Sequence, residues 1–436
     1  MLALLALSIS GVAAGSARDV DAQVVDYSPP IRTESYKVTD YGRTDSAKDD
    51  KVSKAKFRVI ERTGNCCENY LSTNKDGRLF DLGGSYINYT DDNGKTWKSV
   101  RPPTGLVNGE GAISMAPGGD VVGIEWDPYS GDHLLSYRYD GDTEKWEYME
   151  APLHTPFYDR PWLTVVPGPF TTPLGEVAYV VFVDGAPHAG PTLYSTDGLT
   201  YVQVSAPAVD RLDSTPVDGY LRTAKDRQLD WVMPNNNSPI VPLGNGYAVA
   251  VPGLFADGYS LFNPENQKWS ALVGPTEVDL GEGFLVDSKG RVHDVKPMGT
   301  QFEYRISKDG GKSWKSTFVP LPAGISIIET DLKLNAKLGI AALGIHGTTG
   351  QADRDLLYKF DIRGKTARLT KLYEIGLGDI NASSGVGQDI RFDFETVAIF
   401  PDGRLAVSFL DSTTGPAITL TEAVADRLGP ALAIEL

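Results

Sequence analysis

An all-β fold is what this sequence predicts first, and three observations predict it. Short apolar runs alternate with polar residues at a period of two, the spacing that turns one side of a strand toward a core. A polar turn containing Gly precedes each run, and the same turn-and-strand cassette recurs along the chain. The 46 Gly and 28 Pro among 436 residues supply the tight turns that many short strands need.

The cassettes, in order, are NKDGRLFDLGG (Gly77), APGGDVVGIEWD (Gly119), TPLGEVAYVVFVD (Gly175) and PLGNGYAVAVPG (Gly246), then DSKGRVHDVK (Gly290), NAKLGIAALGI (Gly339) and PDGRLAVSFLD (Gly403). A second element follows most of them. It is clearest in YTDDNGKTWKSV and ISKDGGKSWKST, which share the pattern Ser/Thr-x-Asp-x-Gly-x-Thr/Ser-Trp. STDGLTYVQV is a shortened form, and YRYDGDTEKWEY (Trp146) and FNPENQKWSAL (Trp269) are degenerate ones. The element resembles the Asp box of the sialidase-like β-propellers. Its Asp (Asp92, Asp197, Asp309) is expected to accept backbone N–H bonds across a tight hairpin, with Gly supplying the positive φ. Trp97 and Trp314 are expected between adjacent sheets. These residues are therefore read as structural.

Seven cassettes at roughly 40–50 residues per blade fit a seven-bladed β-propeller, with six blades, as in the sialidases it resembles, as the alternative. Three segments are expected: a signal peptide over 1–22, an extended lead-in over 23–58 and one propeller domain over 59–436. Within the lead-in, YKVTDY is a candidate strand for the last blade, and the C-terminal ITLTEAVADRLGPALAIEL a candidate closing strand.

A net charge of −16 argues against nucleic acid or an anionic membrane surface as the main partner, because both need a basic face. An anionic sugar in a local basic pocket remains compatible with it. The opening MLALLALSISGVAAGSA reads as a secretory segment lacking its basic start, with a buried N-terminal strand as the alternative. The two cysteines, Cys66 and Cys67, are adjacent, so they form either a vicinal disulfide or two buried thiols.

In propellers, ligands bind where the innermost strands meet the central channel. The segments expected there are NCCENYL (Glu68), NGEGAIS (Glu110), FYDRPWL (Asp159, Arg160), LGEGFLV (Glu282), IIETDLK (Glu329, Asp331) and IRFDFET (Arg391). A ring of carboxylates could hold Ca²⁺ or supply acid/base groups, or each could pin a backbone N–H of the neighbouring blade. The most distinctive stretch brings His133, His154, Tyr158, Asp159, Arg160 and Trp162 together in sequence. Aromatic, Arg and His groups suit a sugar ring and a uronate, with Arg neutralising the carboxylate and His or Tyr moving the proton. The alternative is blade-to-blade packing.

The resemblance implies three arginines around a sialate carboxylate, the first in a Phe/Tyr-Arg-Ile-Pro motif. FRVI, with Arg58, matches only superficially. The expected activity is that of a secreted glycoside hydrolase or polysaccharide lyase, catalysed by Arg160, Asp159, Tyr158 and His154. Glu68, Glu110, Trp162, Glu282, Glu329, Arg391 and His133 are the expected binding residues. A non-catalytic glycan- or protein-binding propeller is the alternative. The scattered His188, His293 and His346 read as local hydrogen-bonding residues.

Overall fold

The computed structural model describes residues 23–42, 50–61, 70–83, 86–101, 110–126, 133–152, 161–172, 175–185, 192–204, 240–244, 247–250, 260–263, 268–269, 285–309, 312–349, 353–377, 396–410 and 430–436. These residues are almost entirely antiparallel β-structure, as the alternation and the Gly turns require.

Three strands come first: β1 (Gln23–Tyr27), β2 (Ile31–Asp40) and β3 (Lys51–Glu61). Four-stranded runs then follow in chain order. Run I is β4 (Tyr70–Thr73), β5 (Leu79–Gly83), β6 (Tyr86–Thr90) and β7 (Trp97–Arg101). Run II is β8 (Glu110–Met115), β9 (Val121–Trp126), β10 (His133–Asp140) and β11 (Lys145–Pro152). Run III is β12 (Pro161–Thr172), β13 (Gly175–Gly185), β14 (Thr192–Ser195) and β15 (Tyr201–Val204). Run IV is β16 (Ile240–Gly244), β17 (Tyr247–Ala250), β18 (Ser260–Asn263) and β19 (Lys268–Trp269). Run V is β20 (Leu285–Val286), β21 (Val292–Met298), β22 (Gln301–Ser307) and β23 (Lys315–Pro320). Run VI is β24 (Ser326–Asn335), β25 (Ile340–Thr348), β26 (Asp353–Asp361) and β27 (Arg368–Leu377). The last strands are β28 (Thr396–Ile399), β29 (Leu405–Leu410) and β30 (Pro430–Glu435), which β3 completes as run VII in the order β28–β29–β30–β3.

The N-terminal strands tie three runs together. β1 pairs with β7 as a fifth strand on run I, and β2 bridges β27 of run VI and β3 of run VII. Residues 23–58, expected as a lead-in, thus carry strands of two hydrogen-bonded sheets, one of which joins runs VI and VII. The boundary drawn after residue 58 falls inside β3. YKVTDY lies in β2, on the bridge, and the C-terminal strand pairs with both β29 and β3.

The first strands of neighbouring runs touch in the sequence β20, β16, β12, β8, β4, β28, β24. Side chains fill the gaps between sheets. Trp97 is 2% exposed and packs with Leu71, Phe400 and Ile434, joining run I to run VII. Trp146 of the degenerate box stacks edge-on against Phe80 of run I. Trp314 departs from its expected place: it is half-buried beneath the Arg305 guanidinium, 4.2 Å from the ring, and belongs to none of the core clusters.

Cations also reach from one run to the next. Arg78 of run I bonds the Tyr139 hydroxyl of run II, and Arg138 of run II bonds the Asp197 carbonyl of run III at 3.2 Å. Arg291 of run V reaches the Ile362 carbonyl beyond run VI's third strand at 2.7 Å. Lys359 of run VI bonds the Gly403 carbonyl of run VII, and Arg404 of run VII bonds Asn93 Oδ1 of run I at 2.7 Å. The last of these returns from the end of the chain to its beginning.

Candidate functional site

The Asp boxes account for three carboxylates at one end of the sheets. Asp92 Oδ1 accepts the N–H groups of Lys95 and Thr96, both at 2.9 Å, and Oδ2 accepts the Thr96 hydroxyl at 2.8 Å. Asp197 takes the Leu199 and Thr200 N–H groups in the same way, and Asp309 takes the Ser313 N–H and hydroxyl. Burial pushes Asp92 up, yet the bonds from Thr96, Thr90 and Lys95 hold it below the ordinary carboxylate range. The Ser313 and Ser307 hydroxyls hold exposed Asp309 at about 2. The expected turn role is what the geometry performs. The Asp92 oxygens of DDNG are spent on these bonds, which makes the loop a poor Ca²⁺ site. Among the described residues no group of His, Cys, Asp and Glu is arranged to hold a metal ion.

At the opposite end the first strands begin. The Leu71 N–H donates to Thr396 Oγ1 at 3.3 Å, and the Thr73 hydroxyl donates to the Ile399 carbonyl at 2.9 Å. The two contacts advance together along both strands, so β4 and β28 run parallel. The Val397 N–H donates to Asp331 Oδ2 at 2.8 Å, which joins β24 to the same set. Asp331 is buried and also receives Lys333 Nζ at 3.0 Å. Of the expected carboxylates, Asp331 therefore pins the neighbouring run.

Glu110 is the first residue of β8 and lies opposite Trp126; Glu329 in β24 lies opposite His346. Trp126 and His346 each stand seven residues after their turn glycines, Gly119 and Gly339. Glu110 and Glu329 thus hold one equivalent register row in two runs. Run III has Thr164 in that row, opposite Phe182, and Trp162 sits two residues nearer the start of β12, opposite Asp184. His133 begins β10, opposite Pro152, two strands out from β8 and so about 10 Å away. Glu68, His154, Tyr158, Asp159, Arg160, Glu282, Arg391 and the Cys66–Cys67 pair lie outside the described residues. Arg58 of FRVI lies in β3 at the far side of run VII, where Nη1 bonds the Asn93 carbonyl. That placement removes it from the first strands, where the motif would need it.

No family model matches the chain, and no curated protein matches it. Solved structures of similar outline include an ulvan lyase described as a new family of polysaccharide lyase, 10% identical, with 79% of this chain and 92% of that chain covered and a TM-score of 0.38. A mutant NanB sialidase from Streptococcus pneumoniae is 11% identical over 85% of this chain and 68% of its own, with a TM-score of 0.32. The mitotic checkpoint complex is 9% identical over 66% of this chain and 90% of the matched one, at 0.33.

Two histidines read as scattered prove to be held by carboxylates. His293 Nε2 lies 3.2 Å from Asp287 Oδ2 and Nδ1 3.0 Å from the Tyr304 hydroxyl, all fully enclosed in run V. Burial pushes His293 down despite Asp287, which keeps the ring neutral near pH 7. His346 Nδ1 lies 2.7 Å from Asp355 Oδ1, and both side chains are buried. His346 and Asp355 come from separate strands, a relation that strand register reveals and sequence spacing does not.

Proposed function

We propose that the seven runs are blades of one β-propeller and that the end where their first strands begin is the mouth of a glycan site. The cationic contacts that pass from run to run support the ring, above all the contact from Arg404 back to Asn93. The single observation that carries the site is the shared register row of Glu110 and Glu329 on two first strands. Tyr158, Asp159 and Arg160 immediately precede Pro161, the first residue of β12, in sequence. The protein is read as a secreted glycoside hydrolase or polysaccharide lyase acting on an extracellular, uronate- or sialate-bearing glycan. The apolar stretch at residues 1–17 supports secretion.

Arg160 would neutralise the sugar carboxylate through its planar fork. In a lyase reaction Tyr158 or His154 would take the proton alpha to that carboxylate, and the glycosidic oxygen would leave from the adjacent carbon with a proton returned to it. In hydrolysis a carboxylate of the mouth would protonate the same leaving oxygen while water attacks the anomeric carbon. Asp331, spent on the Val397 N–H, favours the second reading, a non-catalytic glycan-binding ring, for its own position.

A panel of uronate- and sialate-bearing polysaccharides separates these readings. Lyase turnover appears as ultraviolet absorbance of an unsaturated uronate, and hydrolysis as new reducing ends without it. Turnover abolished by Arg160→Ala supports the enzyme. Binding without turnover on every glycan supports the binding ring, and neither binding nor turnover overturns the glycan reading.

A further inference from the structure

The contact between the last run and the first converges on one residue, Asn93, and that residue precedes a glycine. Asn93 Oδ1 accepts Arg404 Nη2 of run VII at 2.7 Å, and the Asn93 carbonyl accepts Arg58 Nη1 of β3. Asn93 (φ 62°) and Gly94 (φ 77°) both stand in the left-handed region. A glycine after asparagine puts the least bulk in the way of its main-chain nitrogen attacking the asparagine's side-chain amide. Two features act on that attack in opposite directions. The Arg404 guanidinium faces the amide oxygen, where negative charge develops in the tetrahedral intermediate. Against this, the Gly94 N–H donates to Thr90 Oγ1 at 2.8 Å, which holds the nitrogen inside the closed Asp box. Gly94 is buried, so its nitrogen turns toward the Asn93 side chain only when the box opens locally.

We propose that Asn93–Gly94 is a self-modification site, gated by Thr90, that turns a neutral amide at the contact of run VII with run I into a carboxylate. The Gly94 nitrogen gives up its proton and bonds to Asn93 Cγ. The bond from Cγ to the amide nitrogen breaks, and ammonia leaves. Water then opens the succinimide: addition at Cγ leaves aspartate, and addition at the main-chain carbonyl carbon leaves isoaspartate, which lengthens the turn by one atom. The charges around the site favour the aspartate. Arg404 is shared with Asp402 at 2.7 Å, whereas Arg58 has no carboxylate partner among the described residues and bonds only the Asn93 carbonyl. Asp91 is engaged by Arg78, and Asp92 by its own box. A carboxylate at position 93 therefore joins two guanidinium groups that a single carboxylate now balances.

The test incubates the full chain and the free peptide YTDDNGKTWKSV in mild alkali, and peptide-map mass spectrometry separates asparagine, aspartate and isoaspartate at position 93. The full chain is expected to convert at least about tenfold more slowly than the peptide, with a larger share of aspartate. Thr90→Val deletes the acceptor of the Gly94 N–H and should speed conversion several-fold, while Thr90→Ser keeps the acceptor and should stay slow. Conversion of the full chain at the peptide's rate, or a Thr90→Val rate equal to the parent's, overturns the gating. A full chain that never converts, even as Thr90→Val, overturns the site itself. If Thr90→Val fails to fold, Asn93→Asp carries the test. Its melting temperature should exceed the parent's at low salt, and the gain should shrink in high salt and when Arg58→Gln is added. A melting temperature below the parent's, or a gain that Arg58→Gln leaves intact, overturns the role given to the carboxylate.

Discussion

The two ends of the sheets use their charged residues differently. At the turn end, Asp287 accepts the Lys289 and Arg291 N–H groups, and the Arg291 side chain closes on the same carboxylate before reaching run VI. Arg404 closes on Asp402 and reaches run I, and Asp92 and Asp309 close their own boxes. Asp92, Asp287, Asp309 and Asp402 each find partners within four residues and so hold their own turns, while Asp91 takes Arg78 and Asp120 takes the Gly141 N–H from further along the chain. At the strand-start end the partners come from different strands: Asp331 with Val397, His346 with Asp355, and Glu329 in register with His346. Charges satisfied locally hold the turns. Those at the strand-start end are brought together by strand pairing within run VI and, for Asp331, by contact with the next run.

The largest effect that could break this division is at Arg291. Arg291→Met strands Asp287 in a buried site, and a loss of about 3–5 kcal/mol in denaturant unfolding is expected. A loss near that of an exposed ion pair would show that the turn end is not held as described. Gly94→Ala comes next. Gly94 has φ +77°, and an added Cβ would stand 2.7 Å from Ile434 Cδ1 and 3.2 Å from Ile60 Cδ1. The left-handed backbone alone makes the change cost about 1–2 kcal/mol, and the contacts with run VII add to that.

The pH dependence sharpens the comparison at His293. Burial sets its folded value below the ordinary one, Asp287 opposing. The unfolded chain therefore binds more protons as the pH drops below about 6.5, and native stability falls over that range. Asp287 is shifted the other way: burial raises it, but the bonds from His293 and Arg291 win and hold it well below the usual carboxylate value. Its contribution is present above about 3.9 and is lost only in stronger acid. Between pH 7 and 5 the slope of unfolding free energy should thus follow His293, and His293→Gln should flatten it. An unchanged slope would place the titration elsewhere.

What could be read in advance follows the same division. The boxes and cassettes were legible because each closes on itself: Thr90, Asp92, Gly94 and Thr96 complete one turn within a few residues. β3 as the closing strand of run VII was not, because KVSKAK is lysine-rich and reads as a solvated run. Only its second half, from Phe57 on, pairs with β30, and those later residues carry the apolar side chains. Arg58 matches the arginine motif only superficially, and its place in β3 agrees with that. His346 looked solitary because Asp355 is nine residues away and meets it only through the β25–β26 register. Of the candidate site, the sequence located the starts of the first strands but could not tell a pinning carboxylate such as Asp331 from Glu329, two residues earlier.

The smallest expected effect tests the least conspicuous part of the comparison. Asp309 is exposed and is held at about 2 by the Ser313 and Ser307 hydroxyls. Its folded value lies under that of the unfolded chain, so its contribution exists above about 3.9 and disappears as the pH falls toward 2. Asp309→Asn should lower the melting temperature at pH 7 by less than Gly94→Ala does, and the difference from the parent protein should vanish in acid. Its partners are local and at the turn end, so turnover or binding of any glycan should be untouched. If Asp309→Asn instead impaired glycan handling as severely as Arg160→Ala, the turn end would be a working surface. The assignment of function to the strand-start end would then fail, whatever the stability data showed.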